Sequence, residues 1–448
     1  MASTRANRRQ WQKRSTHNME EKSALATALT EYAEAHPLPD TATQTMFRTL
    51  LPDALVKATR RQPDGTYFVA TGDIPAMWLR DATFQVLPYV QLIKDIPDLK
   101  PILEGVLRRE LAFVRLDPYA NAFNETASGA HWRADDESDR PMSPQVWERK
   151  FEIDTLCAPL LLAVNLYAET GDASIFDIDF WATFTLILTI FEQEQHHERS
   201  PYFFRRSDTD ENDTLPNNGL GNPIGETGLI WDGFRPSDNR CEYGFHIPAN
   251  LLAKTVLTHL LPLMPVDERL LAKRTQTLVA AIEQGVMTYA IQTLPSGEQG
   301  LAYEVDGLGH ARLMDDANVP SLLSLPFLGA IAADDPLYLA TKAFILSPQN
   351  PYYYEGKMLT GIGSEHTPPE YVWPIAVAME GLVATTAADK MAKLLLLVAT
   401  TGGTGQCHEG VQKDDPLQYT RTWFSWANMT FCQLALDVIQ QQEQEGLR

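Results

Sequence analysis

The chain predicts an all-α fold built from helix hairpins, and three observations carry that prediction. Apolar residues recur mainly at i, i+3, i+4 spacing along most of the chain. The helical segments come in consecutive pairs joined by short turns, without the βαβ rhythm of a Rossmann fold or a TIM barrel. Strand-like alternation is scarce, the best candidates being "TYFVATG" near residue 66 and "GLAYEVDG" near residue 300.

The elements follow in order. "EKSALATALTEYAEAH" reads as an opening amphipathic helix, followed by "MFRTLLPDALVKATRR", "DATFQVLPYVQLIKDI" and "LKPILEGVLRRELAFVRLD". "FEIDTLCAPLLLAVNLYAETG" and "IFDIDFWATFTLILTIFEQEQHH" form a pair, with Gly171 as a helix stop. "HIPANLLAKTVLTHLLPLM" pairs with "VDERLLAKRTQTLVAAIEQGVMTYAI", and "DANVPSLLSLPFLGAIAA" with "DPLYLATKAFIL". "PIAVAMEGLVAT" and "AADKMAKLLLLVATT" make a further pair, and "RTWFSWANMTFCQLALDVIQQQ" closes the series. Roughly a dozen helices result, with no fixed-length repeat of the solenoid kind.

With 448 residues and 44% hydrophobic side chains the chain can bury a large core. No interdomain linker is visible; the expectation is a flexible segment over residues 1–20 and one domain over 21–448. The net charge of −21 argues against nucleic acid or an anionic membrane surface as partner. Cys157, Cys241, Cys407 and Cys432 form no CxxC pair and fit no zinc spacing, so free thiols in a reducing compartment are expected. The basic start "MASTRANRRQWQKRSTHNMEEK" has no apolar stretch behind it, and no run approaches about 18 apolar residues. A cytoplasmic protein is the resulting expectation.

Polar, aromatic and glycine-rich segments alternate with the hairpins. If the hairpins close into a ring, these segments gather at one end and build one pocket. "TGDIPAMWLRDAT" places Asp73, Trp78, Arg80 and Asp81 within nine positions. Carboxylates and a guanidinium grip vicinal hydroxyls, and an indole offers a flat face to a sugar ring; the alternative is an Arg–Asp pair at a helix start with Trp78 in the core. "GFRPSDNRCEYGFHIPAN" holds Asp238 among Trp231, Phe234, Arg235, Tyr243 and His246. Asp238 reads either as a helix cap or as a carboxylic acid tuned by desolvation. "GTGQCHEGVQKDDPLQYTRTWFSWAN" presents His408 and Glu409 after a glycine-rich turn, with Arg421, Trp423 and Trp426 behind them. Glu409 reads as a base that activates water, or as a solvated loop carboxylate. Asp315 and Asp316 in "DDAN" suit capping of free N–H groups better than a metal. His366, near Glu365 and Trp373, suits a hydrogen-bonding pocket residue better than a metal ligand. No metal site and no cofactor are expected, and P-loop, GxGxxG, HExxH and GxSxG motifs are absent.

Five of these segments together, "GDIPAMWLRDATFQVLPYV", "GLIWDGFRPSDNRCEYGFHIPAN", "YEVDGLGHARLMDDANVPSLLSLP", "NPYYYEGKMLTGIGSEHTPPEYVWPIA" and "HEGVQKDDPLQYTRTWFSWAN", resemble glycoside hydrolase family 125. The resemblance runs from about residue 25 to 440. It implies an (α/α)6 toroid and a metal-independent, inverting exo-α-1,6-mannosidase acting on mannose-containing oligosaccharides or N-glycan fragments. It implies Asp238 as the general acid and Glu409 as the general base. Asp73, Trp78, Arg80, Asp81, Arg235, His366 and Arg421 are then the candidates for holding the sugar. One departure stands out: family members often read "RPSDD", and here Asn239 occupies the second position. Other readings are a different toroid glycosidase or phosphorylase and a non-catalytic glycan-binding protein. A terpene cyclase fits the polar pocket segments poorly.

Overall fold

The computed structural model describes residues 22–446, apart from 208 and 445. The extension predicted over residues 1–20 lies outside the described residues. Twelve helices of eight residues or more are present among them. They are α1 (22–35), α2 (Thr41–Leu50), α3 (Leu79–Val86), α4 (Leu99–Leu116), α5 (Ile153–Thr170) and α6 (Ile178–Glu194), then α7 (Ile247–Leu260), α8 (Arg269–Gly285), α9 (Pro336–Ile345), α10 (Pro374–Leu382), α11 (Ala387–Ala399) and α12 (Ser425–Gln444).

Local chemistry sets their ends. Asp40, Asp177, Asp335 and Thr386 accept backbone N–H bonds at the starts of α2, α6, α9 and α11. Gly171 stops α5 in the left-handed region, at φ 66°. α5 is apolar on nearly all sides and is buried as such a helix must be.

Three expected helices are shorter or absent, and proline explains each, because it lacks the N–H that continues a helix. The segment expected over 46–61 ends its α-helix at Leu50, ahead of Pro52, resumes as a π-helical turn over Ala54–Ala58 and becomes a strand at Thr59–Arg61. The segment over 81–96 is α-helical only to Val86 and tightens to a 3-10 turn around Pro88. "DANVPSLLSLPFLGAIAA" is not a helix: residues 322–329 form successive turns between Pro320 and Ala330, with Pro326 inside. The Asp315 carboxylate accepts from the N–H groups of Leu322 (2.8 Å) and Leu323 (2.9 Å), the role expected of it at a turn start. Both strand candidates form, as Tyr67–Val69 and as Gln299–Leu301 with Glu304–Val305.

Helix contacts follow a regular course. α12 packs on α3, α3 on α5, and α5 on α7, while α10 packs on α11 and α12. Outside them, α4 lies on α5 and α6, α6 on α8, and α2 on α11 and α12. One hydrophobic cluster runs from Leu25 to Ile439. Short strands lead directly into the first set: Ala76–Trp78 into α3, Phe245–His246 into α7, and Tyr371–Val372 towards α10. The polar segments therefore meet where α3, α5, α10 and α12 begin.

Candidate active site

A cavity of about 180 Å³ opens at those helix starts. Trp78, Arg80, Asp81, Asp238, His366, Glu409 and Arg421 line it, although they come from four distant stretches of chain. Trp373, Phe424 and Trp426 add apolar surface, and Trp132 stands at the rim, 49% exposed.

The wall carrying Asp238 is a tight turn, not a helix start. Asp238 N donates to Arg235 O (2.9 Å) and Arg235 N donates to Asn239 O (2.7 Å). The next helix begins only at Ile247, so Asp238 caps nothing. Its backbone is left-handed, at φ 64°, a conformation that costs a non-glycine residue of order 1–3 kcal/mol. Lys150 offsets that strain by donating from Nζ to the Asp238 carbonyl oxygen (2.7 Å) and to Asp213 Oδ1 (2.5 Å). Asn121 Nδ2 donates to Asp238 Oδ1 (3.1 Å), Glu152 Oε1 (3.1 Å) and Glu148 Oε2 (3.2 Å). Arg235 does not line the cavity. Its buried guanidinium bonds Glu304 Oε1 and Glu365 Oε1, each at 2.5 Å, and braces the turn from behind.

The floor is built on α3. Arg80 Nη1 donates to Glu152 Oε2 (2.8 Å) and Asp154 Oδ2 (3.0 Å), and Nη2 lies 3.3 Å from Asp81 Oδ2. Burial alone would lower its pKa, but these carboxylates hold it well above the usual range. Its cation lies over the Trp426 ring at 5.6 Å. Burial, opposed by Arg80 and reinforced by Asp238, pushes Asp81 up to about 6. Trp78 Nε1 and Ser237 Oγ are buried without a hydrogen-bond partner among the described residues. An unmet buried polar group costs about 1–3 kcal/mol, so this cavity favours a ligand rich in hydroxyl groups.

The opposite chemistry belongs to Glu409, 7% exposed, whose Oε1 lies 3.5 Å from Arg421 Nη1. Arg421 donates to Asp73 Oδ1 from Nε (2.9 Å) and Nη2 (2.5 Å), to Thr71 O (2.9 Å), and lies 4.4 Å above the Phe424 ring. Asp73 itself does not line the cavity; it anchors Arg421. His408 Nδ1 donates to Arg421 O (2.9 Å) and the ring stacks on Tyr419 at 3.6 Å, which fixes the residue before Glu409. Gly72 makes the close approach possible, since a Cβ there would lie 2.7 Å from Trp423 O.

The model of metal-independent α-mannosidases, GH125, matches residues 40–436. The chain belongs to this family. A GH125-type α-mannosidase of Streptococcus pneumoniae, solved as a non-productive complex with α-1,6-mannobiose, is 41% identical to it. That match covers 94% of this chain and 98% of the other, with a TM-score of 0.89. The meiotically up-regulated gene 157 protein of Schizosaccharomyces pombe is 35% identical over 389 residues, 83% of this chain and 76% of the relative. A GH78 rhamnosidase of Bacillus sp. GL1 shares only the fold, at 12% identity and a TM-score of 0.52, over 90% of this chain and 35% of its own.

The GH125 site contains residues that the sequence reading passed over: Asn121, Trp132, Glu148, Lys150, Glu152 and Asp213. A signal existed in "WERKFEID", where Glu148, Arg149, Lys150, Glu152 and Asp154 crowd against the start of a largely apolar helix. Charges at that junction must be buried with partners.

Proposed function

We propose that this GH125 chain is an inverting exo-α-1,6-mannosidase on an (α/α)6 toroid, with Asp238 as general acid and Glu409 as general base. The observation that carries the reading is that Asp238 and Glu409 line one cavity whose other walls suit a sugar. The succession of contacts through α10, α12, α3, α5 and α7, and the likeness to the pneumococcal α-mannosidase, support the toroid.

An inverting hydrolysis needs one carboxylic acid to protonate the leaving oxygen and a carboxylate to take a proton from water on the other face of the ring. Water held by Glu409 attacks C1 as the C1–O bond breaks. The released oxygen keeps the bonding electron pair and takes the Asp238 proton. Arg80, Asp81, His366 and Arg421 hold the hydroxyls of the terminal mannose, and Trp78 and Trp426 pack its apolar faces. Trp132 is the one aromatic among the large exposed hydrophobic side chains of the described residues. Its position at the rim suits stacking on the leaving sugar. Arg235 and Asp73 act from behind, on the Asp238 turn and on Arg421.

Among the described residues no helix is long and apolar enough to cross a membrane. The four cysteines, all buried and unpaired, support a reducing, cytoplasmic setting. The deciding experiment is NMR of freshly released mannose from α-1,6-mannobiose, with and without phosphate. β-Mannose should appear first and without phosphate; α-mannose first removes inversion, and no release removes the hydrolase.

A further inference from the structure

The acid wall holds more carboxyl groups than its cations can balance. Glu148, Glu152, Asp154, Asp81, Asp213 and Asp238 share it with Arg80, Lys150 and Arg206. Arg206 is further committed to Asp136. His366 and Arg421 line the same cavity as Asp238 and Asp81. With Asp81, Glu148, Glu152 and Asp154 all buried, not every carboxyl of this wall can be ionised at once.

The placement of Glu152 singles it out. It is buried and does not line the cavity, so it meets no substrate. Its Oε2 accepts from Arg80 Nη1 (2.8 Å) and from Thr155 Oγ1 (2.9 Å). Its Oε1 turns the other way, towards the Asn121 amide nitrogen that also reaches Asp238 Oδ1. Glu152 Oε1 and Asp238 Oδ1 each lie 3.1 Å from that one nitrogen. Two carboxylates so close, with one amide nitrogen between them, are stable when one of them carries a proton.

We propose that Glu152 is the proton store of the general acid: it and Asp238 hold one proton between them, and Glu152 passes it to Asp238 for each turnover. This rests on the reading of Asp238 as the acid. The Glu152 O–H breaks as the Asp238 O–H forms. The Asp238 O–H then breaks as the leaving oxygen gains its proton. After product departs, Glu409 releases its proton to solvent and the pair takes one up.

The electrostatics agree with the geometry. Burial alone would raise Asp238, but Lys150, Arg80 and His366 overbalance it and draw its carboxyl below the ordinary range. Burial pushes Glu152 well above its ordinary range, against the pull of Arg80, and the Asp238 charge adds to that rise. An acid drawn down in this way would stand empty at neutral pH without a neighbour that keeps a proton available.

The test is the pH dependence of kcat/KM for wild type and Glu152→Gln. With α-1,6-mannobiose the alkaline limb of the variant should fall by roughly two pH units, a loss of about 100-fold near neutrality at tenfold per unit. With 2,4-dinitrophenyl α-mannoside, whose leaving group needs no proton, the same variant should stay within about threefold of wild type. An unshifted limb, or an equal loss on both substrates, overturns the proposal. If Glu152→Gln does not fold, infrared titration of the wild type decides. A protonated buried carboxyl should disappear along the alkaline limb, and an alkaline limb with no such carboxyl titrating overturns the proposal. A wild type that releases no mannose from the disaccharide instead defeats the α-mannosidase reading, and the infrared titration still tests the shared proton.

Discussion

The two walls of the cavity solve opposite problems. Around Asp238 the chain buries charge densely: Lys150, Arg80 and Asn121 each touch two or more carboxyl groups, and Arg235 braces the turn from behind. Around Glu409 it does the reverse. Glu409 has one long ion pair, to an arginine whose own anchor, Asp73, has 44% of its side chain exposed. The lesson is chemical. A group that must deliver a proton needs neighbours that keep one available, whereas a group that must accept one needs only to remain ionised and reachable by water.

The sharpest way to break this comparison is to neutralise each carboxylate in turn. Asp238→Asn and Glu409→Gln should each lower kcat on α-1,6-mannobiose by about 10³-fold or more, within the range of general acid–base catalysis. They should differ on 2,4-dinitrophenyl α-mannoside, where the Asp238 variant recovers most of its rate and the Glu409 variant does not. Equal behaviour of the two on both substrates would erase the distinction between the walls.

Next in size is a contrast in stability. Lys150→Met leaves buried carboxylates unpaired and should destabilise the fold by about 3–5 kcal/mol in denaturant titrations. Asp73→Asn, at an exposed pair, should cost under about 1 kcal/mol while lowering kcat/KM about tenfold by loosening Arg421. Trp132→Ala probes the rim between the walls. It should lower kcat/KM on mannobiose by about five- to tenfold, the worth of one stacking contact, and leave α-mannosyl fluoride turnover within twofold.

The smallest effect concerns Asp81. Its carboxyl titrates near 6 in the fold against 3.8 in a free chain. Protonated Asp81 therefore favours the fold fully below pH about 4, and that contribution is lost as the pH rises through about 6. Asp81→Asn should gain about 2–4 °C in Tm at pH 8 and nothing at pH 4, while impairing turnover. A gain that did not vary with pH would place the cause in packing instead.

Much of this was legible in the residues. Helical spacing marked nearly every helix, and the segments holding Asp238, Glu409, Trp78, Arg80, Asp81, His366 and Arg421 do meet in one cavity. The misses have physical causes. Pro320 and Pro326 interrupt an apolar run that periodicity alone reads as a helix. Arg235 shares its motif with Asp238, but spacing does not say which way a guanidinium turns, and this one turns to Glu304 and Glu365. Lys150 and Glu152 look like a solvated charge run, because their partners at Asn121, Asp213 and Arg80 lie 29, 63 and 72 positions away.

Arg421 and Asp73 are 348 positions apart, yet they form the ion pair behind Glu409, and α12 packs on α3 beside them. The seam between early and late parts of the chain thus runs through the cavity. During synthesis, Asp73, Arg80 and Asp238 leave the ribosome long before Glu409 and Arg421. A nascent chain can complete the wall around Asp238 and still lack Glu409 and Arg421. Sugar bound across the seam would fasten its two sides together, and mannose should slow the unravelling of α12 from the rest.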